Sequence, residues 1–257
     1  MNNQAESKTS KWLIDIKKKT SSKSIGYFNT NDSLGNQYVI EWEIIDPHSS
    51  RLNEKIKNLN DLLIESYSKI ELEFAKKFPD AVKNEMFLQT LAPMFEQGIE
   101  NIDWKSAENQ IKNVLQQFFQ ETDWAKFSNR DDIHLFAVIK EKGTTKSLGM
   151  IQFLITSEYD YGSAKIALYD GVMPLEPARE LNKVLMSSIF KLIPDVKRLF
   201  FHTRLTNENA INEHQRWGFT KFPGNLVNWI DLEYSVEKTD YLQIVSKSLI
   251  EEFNSLY

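Results

Sequence analysis

The sequence predicts a mixed α/β fold: one sheet of mostly antiparallel strands, with a large helical insertion after its first strand. Three observations carry this prediction. Gln37 to Ile45 alternates in the way a strand with one buried face must. Arg51 to about Phe127 carries successive apolar stripes at helical spacing. From Ile133 onward, short strand-type runs alternate with helical patterns, in the order of an antiparallel meander followed by a βαβα unit.

Residues 1–35 are rich in Asn, Ser, Thr and Lys, with one apolar cluster at Trp12-Leu13-Ile14 and Ile16 ahead of Lys17-Lys18-Lys19. A basic segment touching a membrane and a flexible N-terminal segment with one docked piece both fit that composition. One small apolar cluster supplies little membrane affinity, so the second reading is preferred. In Gln37–Ile45, Tyr38, Ile40, Trp42 and Ile44 share one face and Glu41 and Glu43 the other; Asp46-Pro47 ends the run. The helical block has one stripe from Leu59 to Phe74, a break at Phe78-Pro79-Asp80, a second stripe from Met86 to Phe95 and a third at Ile111, Val114, Leu115 and Phe118. Asp103 is placed to cap the third helix. Such a block is long for a small α/β domain. It could serve as a lid, a substrate wall, or a surface for a homodimer or protein partner.

Ile133–Ile139 and Ser147–Thr156 read as a hairpin around Glu141-Lys142-Gly143-Thr144, with Gly149 marking a bulge or a close backbone approach. Ala164–Val172 is a further strand. Arg179–Ile193 is a helix with Leu181, Val184, Leu185, Ile189 and Leu192 on one face, ended by Pro194-Asp195. Val196–Leu205 is a strand, and Thr220–Phe222 and Val227–Tyr234 form a last strand pair. The predicted organisation is a tail over 1–35, a domain over 36–236 with the insertion at 51–128, and a C-terminal helix within 237–257.

The stretch Thr206–Phe219 (TNENAINEHQRWGF) carries the most specific pattern. Asn207 suits the N-cap, Ala210, Ile211, His214 and Trp217 recur on one helix face, and Gly218 suits the left-handed position after the helix. As physics this is a complete account of a capped helix between two strands. Asn207, Ala210, Gly218 and Phe219 also fall, without a gap, on an Asn-x-x-Ala-x-x-x-Tyr-x-x-x-Gly-Phe motif. In this the chain resembles the GNAT superfamily of N-acetyltransferases, and His214 stands where that family usually has tyrosine.

The resemblance implies a GNAT-like fold with a splayed central strand pair. It implies acetyl-CoA as co-substrate, without a metal, and a primary amine of a small molecule, peptide or protein as acceptor. The alternative it leaves is a catalytically impaired GNAT-fold binding or regulatory protein. It places the CoA contacts at Gly171, Val172 and Met173 and at Arg179, Glu180, Leu181, Asn182 and Lys183, with Asn207 and Ala210 nearby. Glu180 and Asn182 occupy positions where the family has glycines that let backbone approach the pyrophosphate, and Pro177 stands at its usual Arg or Gln. For proton transfer it points to His214 as acid, and to Asp170, Tyr169 or Glu158 as base. Glu158 and Asp160 are further acids near the expected acceptor side. Each of these residues also has an ordinary structural reading.

The 257 residues carry a net charge of -5 and no cysteine. The acidic balance argues against a phosphate-backbone binder. The lack of cysteine excludes disulfides and thiolate chemistry and fits a reducing, cytoplasmic setting. No apolar run approaches the length of a membrane span, and no secretory signal is apparent. Four scattered histidines and nine glycines give no zinc or nucleotide-loop spacing.

Overall fold

The structure, a computed structural model, describes residues 11–15, 25–32, 34–46, 50–126, 132–156, 161–169, 175–221 and 231–238. The strands are β1 (Ile25–Asn31), β2 (Gln37–Ile45), β3 (Ile133–Glu141), β4 (Ser147–Ile155), β5 (Ser163–Tyr169), β6 (Arg198–Arg204), β7 (Thr220–Lys221) and β8 (Asp231–Glu237). They form one sheet in the order β1-β2-β3-β4-β5-β6-β8-β7. Every neighbouring pair is antiparallel except β5 and β6, which run parallel.

Gln37–Ile45 is the second strand, not the first. β1 precedes it and pairs with it along its whole length, from Ile25↔Glu43 to Asn31↔Gln37. Asp32 closes this hairpin. Its carboxylate accepts from the Leu34 N–H at 3.0 Å, the Asn36 N–H at 2.9 Å, the Asn36 amide at 2.8 Å and the Tyr38 hydroxyl at 3.0 Å. Gly26 lies under the Trp42 ring, where a Cβ would sit 2.4 Å from ring carbons. The β3–β4 hairpin carries the expected irregularity: Ile139 pairs with Gly149 but Lys140 with Ser147, so Leu148 bulges out.

Two layers cover the sheet. One face packs against a helical turn over residues 11–15, here α1, and against α6 (Leu175–Leu192) and α7 (Glu208–Arg216). Trp12 and Leu13 are buried there, so the docked piece expected near the N-terminus is part of the main core. The other face carries the insertion: α2 (Arg51–Asn58), α3 (Asn60–Lys77), α4 (Ala92–Phe95), α5 (Trp104–Glu121) and short 3-10 turns between them. Pro79 opens one such turn just after α3, where the break was expected. Asp103 caps α5, accepting from the N–H groups of Lys105 at 3.1 Å and Ser106 at 3.3 Å. Phe74, Leu88, Leu91, Ile111 and Leu115 are fully buried in this second core. At about 2 kcal/mol for each large apolar side chain, the insertion holds itself to the sheet by burial. The predicted C-terminal helix lies outside the described residues, and of the last predicted strand pair the described parts are β7 and the stretch of β8 from Asp231 to Tyr234.

Candidate active site at a split between two parallel strands

β5 and β6 pair only at Ser163↔Arg198, Ala164↔Leu199 and Lys165↔Phe200. Both strands then continue for four residues without pairing to each other. Over that length each stays bonded to its outer neighbour: β5 to β4 up to Met150↔Tyr169, and β6 to β8 up to Arg204↔Asp231. The sheet therefore opens along Ile166–Tyr169 and Phe201–Arg204. Backbone groups on the facing edges of these strands lack a strand partner and must find another one.

One side of the opening is occupied by α7, whose local structure follows its sequence. The Asn207 carboxamide accepts from the Ala210 N–H at 3.3 Å. At the other end Gly218 adopts φ 87°, its N–H donates to Gln215 O at 3.0 Å, and the Phe219 N–H donates to His214 O at 3.0 Å. That pair of bonds is a Schellman stop. His214 is 3% exposed. Its ring centroid lies 3.9 Å from that of Phe201, 5.1 Å from Trp217 and 5.2 Å from Phe219. Nδ1 donates to Ala210 O at 2.7 Å, which leaves Nε2 without a proton in the neutral ring. Burial pushes the His214 pKa down to about 4, against the opposing effect of the Ala210 bond. His214 is thus neutral near pH 7 and packed as a core ring. The residue expected to act as acid thus packs against the aromatic core, with its Nδ1 committed to Ala210 O of its own helix.

The expected phosphate loop is also different. α6 begins at Leu175, so Arg179, Glu180, Leu181, Asn182 and Lys183 lie beyond its first turn. Their N–H groups belong to the intrahelical ladder. Leu181 is fully buried in the core, Asn182 is 3% exposed and Lys183 is half-buried. Without glycines at 180 and 182, nothing in the sequence interrupts helix geometry, and Pro177 is tolerated as the third helical residue. Asp170, Gly171, Val172 and Met173, together with Glu158 and Asp160, lie outside the described residues.

The other side of the opening faces the insertion. Tyr169, the last residue of β5, points to α3, and its hydroxyl lies 3.3 Å from that of Tyr67. The two ring centroids are 5.6 Å apart, and Tyr67 also packs against Phe119 at 5.6 Å. One helical turn along α3, Glu71 takes Arg204 of β6: the guanidinium Nη2 donates to its carboxylate oxygens at 3.1 and 3.3 Å, and to Glu85 at 2.9 Å. The Glu71 side chain is 4% exposed, Arg204 16% and Glu85 19%. The same guanidinium sits 4.5 Å above the Phe74 ring. α3 therefore spans the opening, tied to one strand by a tyrosine pair and to the other by an ion cluster. Burial raises the pKa of Tyr169 well above the usual 10 and also raises that of Tyr67, which the bond from Tyr169 partly offsets. Both hydroxyls hold their protons throughout the neutral range.

The expected catalytic pair is therefore separated. His214 faces the α6–α7 core and Tyr169 the insertion, on opposite faces of the sheet. Tyr67, Glu71, Glu85 and Arg204 are the site residues that the sequence reading missed. Their signal was present, since a carboxylate in the apolar stripe of α3 and an arginine ending an apolar strand each need a buried partner. What was absent was any way to pair residues 133 positions apart. Among the described residues there is no cluster of side chains suited to a metal, and no helix long and apolar enough to cross a membrane.

No protein-family model and no curated protein matches the chain. Among solved structures it is similar to the N-acetyltransferase PseH of Campylobacter jejuni, with 14% identity over 58% of this chain and 90% of that one and a TM-score of 0.34. It is similar to an uncharacterized protein from Bacillus halodurans, with 12% identity over 89% and 98% and a TM-score of 0.46. It is also similar to Mycobacterium smegmatis RimJ in complex with CoA-disulfide, with 10% identity over 89% and 93% and a TM-score of 0.41. By its strand order, the parallel pair among the described strands and the opening of that pair beyond Lys165 and Phe200, the chain has a GNAT-like fold.

Proposed function

We propose that the protein is an N-acetyltransferase that moves the acetyl group of acetyl-CoA to a primary amine by direct attack. The observation that carries this reading is the split between β5 and β6. It offers two strand edges whose amide groups can bond an extended, amide-bearing arm such as that of CoA, with the thioester placed inside the sheet. The insertion side then receives the acceptor. On that side two carboxylates, Glu71 and Glu85, meet the guanidinium of Arg204. The phosphate end does not fit a glycine loop. Its remaining support is the N-terminus of α6, which attracts anions through its unbonded N–H groups and dipole.

The test has two parts. A ligand at 100 times its Kd stabilises by about 2.7 kcal/mol, and unfolding entropy for a chain of this length is about 0.5 kcal/mol/K. Acetyl-CoA should therefore raise Tm by about 5 °C, and free thiol should appear when a panel of polyamines, amino sugars and lysine peptides is added. No shift at millimolar acetyl-CoA would sink the proposal. The second reading is a GNAT-fold binding or regulatory protein that has lost CoA. It is favoured by one observation, that Arg179–Lys183 lie within α6 and so offer no loop of their own, and it predicts that null result.

A further inference from the structure

We propose that Tyr67 and Tyr169 form a two-hydroxyl proton relay that carries a proton from the attacking nitrogen to the leaving sulfur. This rests on the acyl-transfer reading above and goes beyond it. Transfer begins with the amine as free base. Its nitrogen forms a bond to the thioester carbonyl carbon and becomes positively charged in the tetrahedral adduct. The carbon–sulfur bond then breaks, and sulfur leaves with the electron pair. The nitrogen must lose one proton and the sulfur must gain one, so the products are a neutral amide and a thiol.

A single, largely enclosed phenol performs only half of this exchange. Giving its proton to sulfur would leave a phenolate in an apolar setting, which is costly. Two phenols in contact avoid that outcome. As Tyr169 gives its proton to sulfur it takes the proton of Tyr67, and Tyr67 takes the proton of the nitrogen. Both hydroxyls end as they began, and no charge is left in the wall.

The geometry fits this role on four points. The hydroxyls are 3.3 Å apart, long for an O–H···O bond but within the range that tightens when substrate binds. Tyr169 ends the unpaired part of β5, so it borders the opening. Tyr67 comes from α3, which spans the opening, so the pair runs from the strand edge toward the acceptor side. Both rings are held: Tyr67 packs against Phe119 and Tyr169, and Glu71, one turn further on, anchors α3 to Arg204. The charged groups acting on Tyr67 are Glu71, which raises its pKa, and Arg204, which lowers it. Their opposed effects leave burial dominant, and the hydroxyls remain donors across the neutral range.

The experiment uses the full chain, acetyl-CoA and the amine of the panel that releases thiol fastest. Tyr67→Phe and Tyr169→Phe keep the ring contacts and remove one hydroxyl each. If the relay operates, each variant lowers kcat by about 10²-fold. The double variant is then no slower than either single one, because a broken chain is not broken further, and KM for acetyl-CoA stays within threefold. In mixtures of light and heavy water the wild-type rate shows a curved dependence on deuterium fraction, as three protons in flight require. Single-variant kcat values within threefold of wild type, losses that multiply in the double variant, or a linear wild-type dependence would each overturn the relay. The last needs no variant and so is independent of folding. A wild-type protein that releases no thiol with any amine overturns the acyl-transfer reading itself, and the relay with it.

Discussion

Replacing Arg204 with methionine removes a cation that Glu71 and Glu85 share, and with it the guanidinium contact to Phe74, while keeping an apolar side chain of similar length. Breaking a buried ion pair by deleting one partner costs about 3–5 kcal/mol, because the remaining charge is left in a poor solvent. Glu71 is almost fully enclosed, whereas Glu85 and Arg204 keep about a fifth of their side-chain surface or less in water. The lower end of that range, about 3 kcal/mol, is therefore expected. With an unfolding entropy of about 0.5 kcal/mol/K for 257 residues, Arg204→Met should lower Tm by about 6 °C. The second half of the cycle tests the cause. If the loss comes from an uncompensated carboxylate, Glu71→Gln should cost stability in the wild-type background and restore it in the Arg204→Met background. Differential scanning calorimetry of the four proteins measures both steps. A single variant melting within 1 °C of wild type, or a double variant less stable than Arg204→Met alone, refutes the reasoning that this cluster ties α3 to β6.

Four further outcomes follow from the same geometry. His214 and His134 have folded-state pKa values of about 4 against about 6.5 unfolded. The unfolded chain then binds more protons between those values, so stability is full above pH 6.5 and falls as pH drops toward 4. His214 alone accounts for about 3 kcal/mol; denaturant titrations across this window should show the slope, and His214→Phe should reduce it by that share while the His134 and His202 parts remain. Trp12→Ala removes a ring that is 5% exposed and 5.0 Å from that of Tyr161; it should cost about 3 kcal/mol or more, read as a Tm loss of about 6 °C. Asn207→Ala removes the cap bond to Ala210 and should cost about 1 kcal/mol, measured by chemical denaturation. Lys77→Ala breaks the contact to Glu208 at 2.5 Å between side chains 44% and 68% exposed; water and salt screen such a pair, so Tm should not change measurably.

α7 was legible in the sequence because everything that shapes it is local. Asn207 reaches only to Ala210, and Gly218 and Phe219 close onto Gln215 and His214. The β3–β4 hairpin, its bulge beside Gly149, the break at Pro79 and the Asp103 cap were legible for the same reason. β1 was missed because its stabilisation is pairwise. Its stretch is short and only weakly alternating, and it becomes a strand through the Asp32 turn and pairing to β2. The start of α6 was misplaced because a motif position was read where helix propensity, unopposed by glycine, decides.

The sequence by itself determined the order of elements, the caps, the apolar stripes and the residues able to carry charge, all of which depend on neighbours within a few positions. Only the tertiary structure decided which side of the sheet each candidate faces. A strand alternates faces with every residue, so Phe201 and Arg204 of one strand serve different layers: one receives His214 into an aromatic core, and the other meets Glu71 and Glu85 from an insertion more than a hundred residues away. The opening between β5 and β6 and the tyrosine pair beside it likewise arise from contacts between distant segments, and local sequence pattern holds no record of those distances.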